Sequence, residues 1–362
     1  MIKKISILLL LAITISSCME KKYEWSAFVS APREYPVEVY TGAAGGYFFS
    51  QMGGFSNTGW GEGVGDNNIQ APLPERLDMT WLSYVDNKFY TGEWELPMEK
   101  IQQLFDEGFY SKNGDDNNRE PYRFINIGLA PKGMVVVWVT GVGRQVEVAR
   151  YQAHETIIDP KLISESEKYM FANDYSERRL KNDFVISKHV REQIEQYGYP
   201  SPDVYEMYRK KYMWKPKVIL PTGSEVTSFY IKMCNGEIED PYDRPIDQKE
   251  RAIPFAFEIF WKIVVGKKEQ EFVSRIAFTS DKKYWDVFFE NNGTDPIPVD
   301  FDKNQIKALF TDSIDKNKSA ELVIKLDPID ANNKHWSLDM YLEQSGKKNS
   351  INQICHDTGK YK

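Results

Sequence analysis

An alternating pattern of apolar and polar residues, present in two copies, constrains the fold more than any other feature. In the first copy Leu77, Met79 and Trp81 alternate with polar residues. Successive side chains of a strand point to opposite faces, so this period of two predicts a half-buried strand. The second copy, near residue 254, has apolar residues at the same spacing: Phe257, Ile259 and Trp261.

A short amphipathic helix follows each copy. Pro97 suits a first helical position, where its missing N–H is not needed. Ile101, Leu104 and Phe105 then lie on one helix face. The second copy repeats this face with Ile306, Leu309 and Phe310. After each helix comes another alternating pair of segments. The pattern favours an internal duplication, and the alternative is two unrelated sheets with generic patterning.

The predicted fold class is therefore α+β, with two related antiparallel-sheet units that each carry a short packed helix. A helical linker joins them, because charged and helix-forming residues replace the alternation in residues 159–216. We expect an N-terminal unit at 18–158 and a C-terminal unit at 217–346. Residues 1–17 are expected to be removed, and residues 347–362 to form a loose polar tail.

The N-terminus resembles the signal of bacterial lipoproteins. Lys3 and Lys4 precede an apolar stretch that is too short to span a bilayer, and Ser16-Ser17-Cys18 follows like a lipobox. This resemblance implies a mature chain that starts at Cys18 and carries acyl chains such as palmitate. Several chains give stable anchoring. An ordinary secretory signal is the alternative.

Residue 19 is Met rather than Asp, which favours the outer membrane over retention in the inner membrane. No acidic run follows the cysteine, so we expect the protein to face the periplasm. Cell-surface display is the alternative.

Composition argues against nucleic acid as a partner. The chain has 362 residues and a formal net charge of −7, without the basic footprint of a nucleic-acid-binding protein. Aromatic residues make up 14% of the chain, which is more than a disordered protein carries.

Two cysteines besides Cys18 could form a disulfide, because the cell envelope is oxidising. Cys234 and Cys355 would then tie the C-terminal tail to the second unit. The alternative is two separate free thiols.

A glycine-rich segment, residues 41–72, is predicted to be a long loop that carries Trp60. Its glycines lack the strand before and the helix after that a nucleotide-binding loop needs. Together with Trp94 and Tyr110, Trp60 is a candidate for an exposed aromatic binding surface.

Catalytic and metal-binding motifs are lacking in the sequence. His154-Glu155 has no second histidine at residue 158, which is Ile, and no serine or cysteine nucleophile motif occurs. We therefore expect no catalytic residues, no metal and no cofactor. The alternative is an envelope hydrolase whose paired carboxylates come together only in the fold.

Several short motifs in order resemble an uncharacterised family of bacterial envelope lipoproteins, classed only as a domain of unknown function. They cover roughly residues 23–265 and are Tyr35-Pro36-Val37-Glu38-Val39, Gly59-Trp60-Gly61, Trp81-Leu82-Ser83, Phe89-Tyr90, Leu96-Pro97, Ala130-Pro131-Lys132-Gly133 and Tyr208-Arg209. The family offers no catalytic residues to carry over. Some related lipoproteins occur beside type VI secretion genes, which implies an immunity role.

These observations predict a non-catalytic binding protein, anchored to the outer membrane by the lipid on Cys18. The most specific version of this prediction is an immunity protein that binds an incoming toxin, and we expect a protein partner. The alternative ligand is a glycan or peptidoglycan, which exposed aromatic side chains would recognise.

Overall fold

The protein is an α+β fold rich in antiparallel sheet. The computed structural model describes residues 21–48, 55–63, 69–110, 119–240, 246–265, 268–279, 305–329 and 335–361. Within these ranges the strands form sheets of ten, six and five strands.

Among its described residues, the first unit contains eleven strands and one helix. The strands are β1 (Tyr23–Ser30), β2 (Val37–Ala44), β3 (Tyr47–Phe48), β4 (Phe55–Ser56), β5 (Ile69–Ala71), β6 (Arg76–Ser83), β7 (Lys88–Glu95), β8 (Phe124–Ala130), β9 (Met134–Gly141), β10 (Arg144–Gln152) and β11 (His154–Thr156). Helix α1 is Met98–Glu107.

A helical segment follows, with α2 (Tyr175–Leu180), α3 (Lys188–Tyr197) and α4 (Val204–Tyr208). The second unit comprises β12 (Tyr212–Ile219), β13 (Ser224–Met233), β14 (Ile238–Glu239), β15 (Lys249–Arg251), β16 (Pro254–Val265), β17 (Lys268–Ala277), β18 (Ala320–Pro328), β19 (Trp336–Gln344), β20 (Lys347–Ser350) and β21 (Cys355–Lys360). Its helix α5 (Gln305–Ala308) continues as a π-helix, Leu309–Ser313. Single 3-10 turns lie at Pro131–Gly133, Pro160–Leu162 and Lys168–Phe171.

Each unit packs two sheets around one apolar core. In the first unit, one sheet has the order β5-β1-β8-β9-β10 and the other has β3-β2-β6-β7-β11. Trp81 and Ile101 are buried between them, as the alternation and the helix face predict. In the second unit, Trp261 and Ile306 occupy the corresponding core.

The two units share their strand pairings, including an irregularity. In each unit the first strand pairs in parallel with the strand after the helix: β1 with β8, and β12 with β18. The second strand of each unit has a bulge opposite a tryptophan of the neighbouring strand. The register shifts between Val39 and Thr41 opposite Trp81, and between Val226 and Ser228 opposite Trp261.

The sheets are therefore mostly antiparallel, as predicted, with one parallel pair in each unit that the sequence did not predict. The alternation of side chains does not report the direction of the neighbouring strand, which explains the difference. All other named pairings in the described residues are antiparallel.

A single ten-stranded sheet joins the units. The short strand β14 pairs with β13 of its own unit and, through Gln145↔Ile238, with β10 of the first unit. Strand β9 is consequently buried on both faces. Val135, Val137 and Val139 belong to the first core, while Val136 and Trp138 pack into the second.

The side chain of Gln145 holds this junction. Its Nε2 donates to the carbonyl oxygens of Gly61 (2.8 Å) and Gly236 (2.5 Å). Asn126 also donates to Gly61 O, at 2.8 Å, and Thr140 Oγ1 donates to Gln145 Oε1 at 2.6 Å. The hydrogen bonds to Gly61 O and Gly236 O are buried, so each one removes a desolvation penalty as well as adding an attraction.

The helical segment covers the outer face of the β2-β6-β7 sheet. Glu38 is only 2% exposed, and it points to the face opposite Val37 and Val39. Three tyrosine hydroxyls donate to its carboxylate: Tyr84 (2.5 Å), Tyr169 (2.9 Å) and Tyr175 (2.6 Å). Burial, followed by the hydrogen bond to Glu38, raises the pKa of Tyr169 to about 12, so this hydroxyl stays protonated at neutral pH.

A second buried carboxylate joins α4 to the first unit. The Tyr205 hydroxyl donates to Glu34 Oε1 at 2.5 Å. Burial raises the pKa of Glu34 above its ordinary value, although the Tyr205 hydrogen bond opposes the shift. Tyr205 and Tyr208 are buried, as expected for packing onto a sheet.

Two predicted boundaries differ from the structure. Strand β12 begins at Tyr212, inside the predicted linker 159–216. The predicted loose tail, residues 347–362, contains β20 and β21, and β21 pairs with β17 at the edge of the large sheet. Main-chain hydrogen bonds form regardless of side-chain polarity, so a tail without apolar alternation still pairs there.

Replacing Gln145 by Leu keeps the side-chain volume but leaves the carbonyls of Gly61 and Gly236 without this donor. We expect the free energy of unfolding to fall by about 2–3 kcal/mol, measured by urea denaturation. Gln103→Leu is the control, because Gln103 is exposed on α1. Equal stability of the two variants would contradict the role given to Gln145.

The raised pKa of Glu34 predicts a pH-dependent stability difference. The Glu34 carboxyl binds its proton more tightly in the folded state than in the unfolded state. The stability of the wild type therefore decreases as the pH rises from the pKa of Glu34 in the unfolded chain to its pKa in the folded protein. Glu34→Gln keeps an acceptor for Tyr205 and removes that decrease. The stability of the variant relative to wild type should therefore rise as the pH increases above the ordinary pKa of a glutamate side chain, about 4.3.

The control for this prediction is Glu165→Gln, whose side chain is 88% exposed. A stability difference for Glu34→Gln that stays constant with pH would show that Glu34 does not titrate differently in the folded state.

Candidate binding site

The predicted site residues do not form one surface. Cys18 lies outside the described residues. Trp60 was predicted to be exposed, and this is wrong: it is 6% exposed and packs against Trp138 and Tyr205, with ring centroids 5.0 and 5.2 Å away. Trp138 of the first unit and Tyr205 of the helical segment cover Trp60, which the sequence pattern of the glycine-rich segment alone does not reveal.

Trp94 and Tyr110 are both half-buried but lie in different places. The Trp94 ring stacks on Tyr151, with centroids 5.4 Å apart and an interplanar angle of 18°. Each ring covers one face of the other, so they do not present a coplanar platform. Tyr110 instead lines a groove between the units.

The predicted disulfide is absent, because Cys234 and Cys355 are not bonded to each other. Cys234 follows β13, Cys355 begins β21, and strands β16 and β17 lie between these two strands. Three strand spacings amount to about 14 Å. A disulfide needs Cα atoms within about 7 Å of each other.

The groove has a volume of about 350 Å³. The C-terminal end of α1 and the chain that follows it form one wall, and β14 and β15 of the second unit form the other. Four basic and four acidic side chains line it: Arg119, Arg144, Lys249, Arg251, Glu107, Glu239, Asp240 and Asp247.

Local backbone geometry positions Tyr110 and Arg119 in the first of these walls. Helix α1 ends at Gly108, whose φ of 59° lies in the left-handed region that glycine adopts without strain. An isolated antiparallel bridge between Phe109 and Glu120 then brings these two parts of the chain together. The Arg119 guanidinium consequently lies over the Tyr110 ring, 4.5 Å from its centroid.

A buried ion pair forms the opposite wall. Arg251 is 2% exposed, and its Nε lies 3.0 Å from Glu239 Oε2. Its Nη1 donates to the carbonyl oxygens of Trp214 (2.7 Å) and Asp247 (2.9 Å). Lys249 Nζ lies 2.9 Å from the other oxygen of Glu239.

The surrounding charges keep Glu239 ionised. Burial alone would raise the pKa of Glu239, but the positive charges of Arg251, Lys249 and Arg144 outweigh burial and hold it below the ordinary value. A carboxylate held in this way does not serve as a general acid near neutral pH. Glu239 instead holds Arg251 and Lys249 in place in the groove wall.

The groove is equipped for recognition through charge and aromatic contact. Arg119 and Arg144 present planar guanidinium groups, which bind carboxylates and phosphates with two parallel hydrogen bonds. Within the described ranges, no three or more His, Cys, Asp or Glu side chains are arranged to hold a metal ion.

Sequence reasoning identified Tyr110 but missed Arg251 and Glu239. The Glu239 carboxylate pairs with Arg251 and Lys249 only once the chain is folded. Arg251 lies two residues after Lys249 in a short segment without an apolar pattern. No sequence signal therefore marks Arg251 as buried. Among the described residues, no helix is both long enough and apolar enough to span a membrane.

The chain matches the model of a known family. The model of a family described as "Protein of unknown function (DUF2931)" matches residues 14–202, more than half of the chain. No curated protein and no solved structure matches the chain. The matched range contains the first unit and most of the helical segment, and on this basis the chain belongs to the DUF2931 family.

Proposed function

We propose that this protein is a lipid-anchored, non-catalytic binding protein of the bacterial outer membrane. The lipobox-like sequence that ends at Cys18 supports the anchor. The groove between the two units, with its guanidinium groups and the half-buried Tyr110, is the single observation that supports binding.

A protein segment is the ligand that fits the groove best. Both signs of charge line it, and complementary charge across an interface favours specific protein partners. Tyr and Arg are also the residues that contribute most often to binding at protein interfaces. An immunity protein that caps a toxin is the sharpest form of this proposal, with the groove receiving part of the toxin.

The two units arose by duplication of one ancestral unit. Matching parallel pairs and matching bulges opposite Trp81 and Trp261 support this proposal more strongly than the alternation alone. The groove belongs to neither unit by itself, so duplication created a surface that one unit lacks.

Lipid attachment predicts a defined mature N-terminus. Mass spectrometry of the protein from its native membrane should show a chain that starts at Cys18 and carries acyl groups. Cys18→Ser should remain unprocessed and lose the acyl mass. A wild-type protein without acyl mass would contradict the anchor.

Binding at the groove predicts a charge-sensitive partner. Residues 23–362, tagged and soluble, should retain one stoichiometric protein from envelope and culture fractions at high salt. Arg119→Glu should weaken the purified complex at least tenfold, because it replaces a groove cation by a carboxylate.

The matched control is Arg178→Glu, an exposed arginine on α2 that does not line the groove. Equal affinities for the two variants would place the binding site elsewhere. Retention of glycan without protein would favour the alternative, a glycan- or peptidoglycan-binding protein. Hydrolysis of envelope material by the same preparation would favour an enzyme.

A further inference from the structure

Two adjacent aromatic residues, Tyr47 and Phe48, form the short strand β3 directly after the turn that follows β2. Tyr47 is 44% exposed and Phe48 is 72% exposed. Large apolar side chains that are exposed next to each other are uncommon unless they contact a partner or a membrane. The turn itself contains Gly45 and Gly46, which both have positive φ angles, of 56° and 81°.

This turn lies beside the start of β1. The rings of Trp25 and Tyr47 meet edge to face, with centroids 6.0 Å apart. Trp25 Nε1 donates to Pro72 O at 3.0 Å, and a Cβ on Gly45 would lie 2.8 Å from Pro74 Cα. These contacts fix the β2–β3 turn to the end of the molecule where the described chain begins.

The same end lies close to Cys18. The Tyr23 hydroxyl donates to Asp106 Oδ1 of α1 at 2.6 Å, so residue 23 already belongs to the folded body. The five residues from Cys18 to Tyr23 span at most about 17 Å. A lipid on Cys18 therefore holds this end of the protein at the bilayer surface.

We propose that Tyr47 and Phe48 insert into the interface of the bilayer that holds the lipid on Cys18. This inference rests on the proposed lipid anchor. Aromatic side chains favour the region between headgroups and acyl chains. The tether keeps these side chains close to the bilayer. Even a weak affinity of the two rings for the bilayer is then enough to orient the protein.

Charge beside the β2–β3 turn does not drive this contact. Glu75, Asp78 and Glu93 line a cavity of about 590 Å³ behind the turn, with Arg76 as the basic side chain among them. Anionic lipid would be repelled by this acidic surface rather than attracted. Insertion should therefore be at least as deep in zwitterionic vesicles as in vesicles that contain phosphatidylglycerol.

A fluorescent label at residue 48 tests the proposal. In the acylated protein with Cys234→Ala and Cys355→Ser, an environment-sensitive dye is attached to Phe48→Cys. On reconstitution into phosphatidylcholine vesicles, the emission should shift to the blue. Lipids that carry a nitroxide on the acyl chain should quench it at least twofold.

Val264→Cys is the matched control, because Val264 is 57% exposed on β16 of the second unit. Equal quenching at residues 48 and 264 would overturn the proposal, and so would quenching that requires anionic lipid. A blue shift that grows with protein concentration without vesicles would assign the surface to a second copy of the chain, which also overturns it.

Failure of the anchor is separable from failure of this inference. Acylation is read independently by the mass of the N-terminal peptide. If acyl groups are absent, a hexahistidine tag placed before residue 21 and bound to nickel-chelating lipid supplies the tether. The same quenching comparison then decides whether residue 48 enters the bilayer.

Discussion

The buried amide of Gln145 is the interaction on which the joint between the two units depends. It comes from β10 of the first unit and binds the glycine-rich loop and the turn before β14 through main-chain carbonyl oxygens. Because β14 contributes only two residues, main-chain pairing alone gives little to this boundary. Glu239 lies on β14, so the amide also sets the position of one wall of the groove.

Buried carboxylates on the outer faces have a comparable role for the helical segment. Glu38 accepts three tyrosine hydroxyls, and Glu34 accepts one. Apolar contacts tolerate small shifts, whereas these hydrogen bonds allow one placement only. The helices are thus held on the first unit by directional contacts that supplement the apolar cluster around Val185 and Ile186.

Much of the fold could be predicted because the strands with one buried face follow the period of two. Trp81, Trp261 and the two helix faces are examples. The junction could not be predicted, since β14 and β15 are too short to show any period. Trp60 shows the same limit, because its burial depends on Trp138 and Tyr205, which are distant in sequence. Of the groove residues, only Tyr110 could be predicted from the sequence. The ion pair between Glu239 and Arg251 could not, because it depends on how the chain folds.

The parallel pairing of β1 with β8 has a mechanical consequence. A tether at the N-terminus would pull along the axis of β1, which runs between β5 and β8. Five residue pairs between β1 and β8 would then carry the load together, rather than breaking one after another. The strand nearest to the pulling point is therefore arranged in shear, which is the geometry that resists extraction of a strand from its sheet.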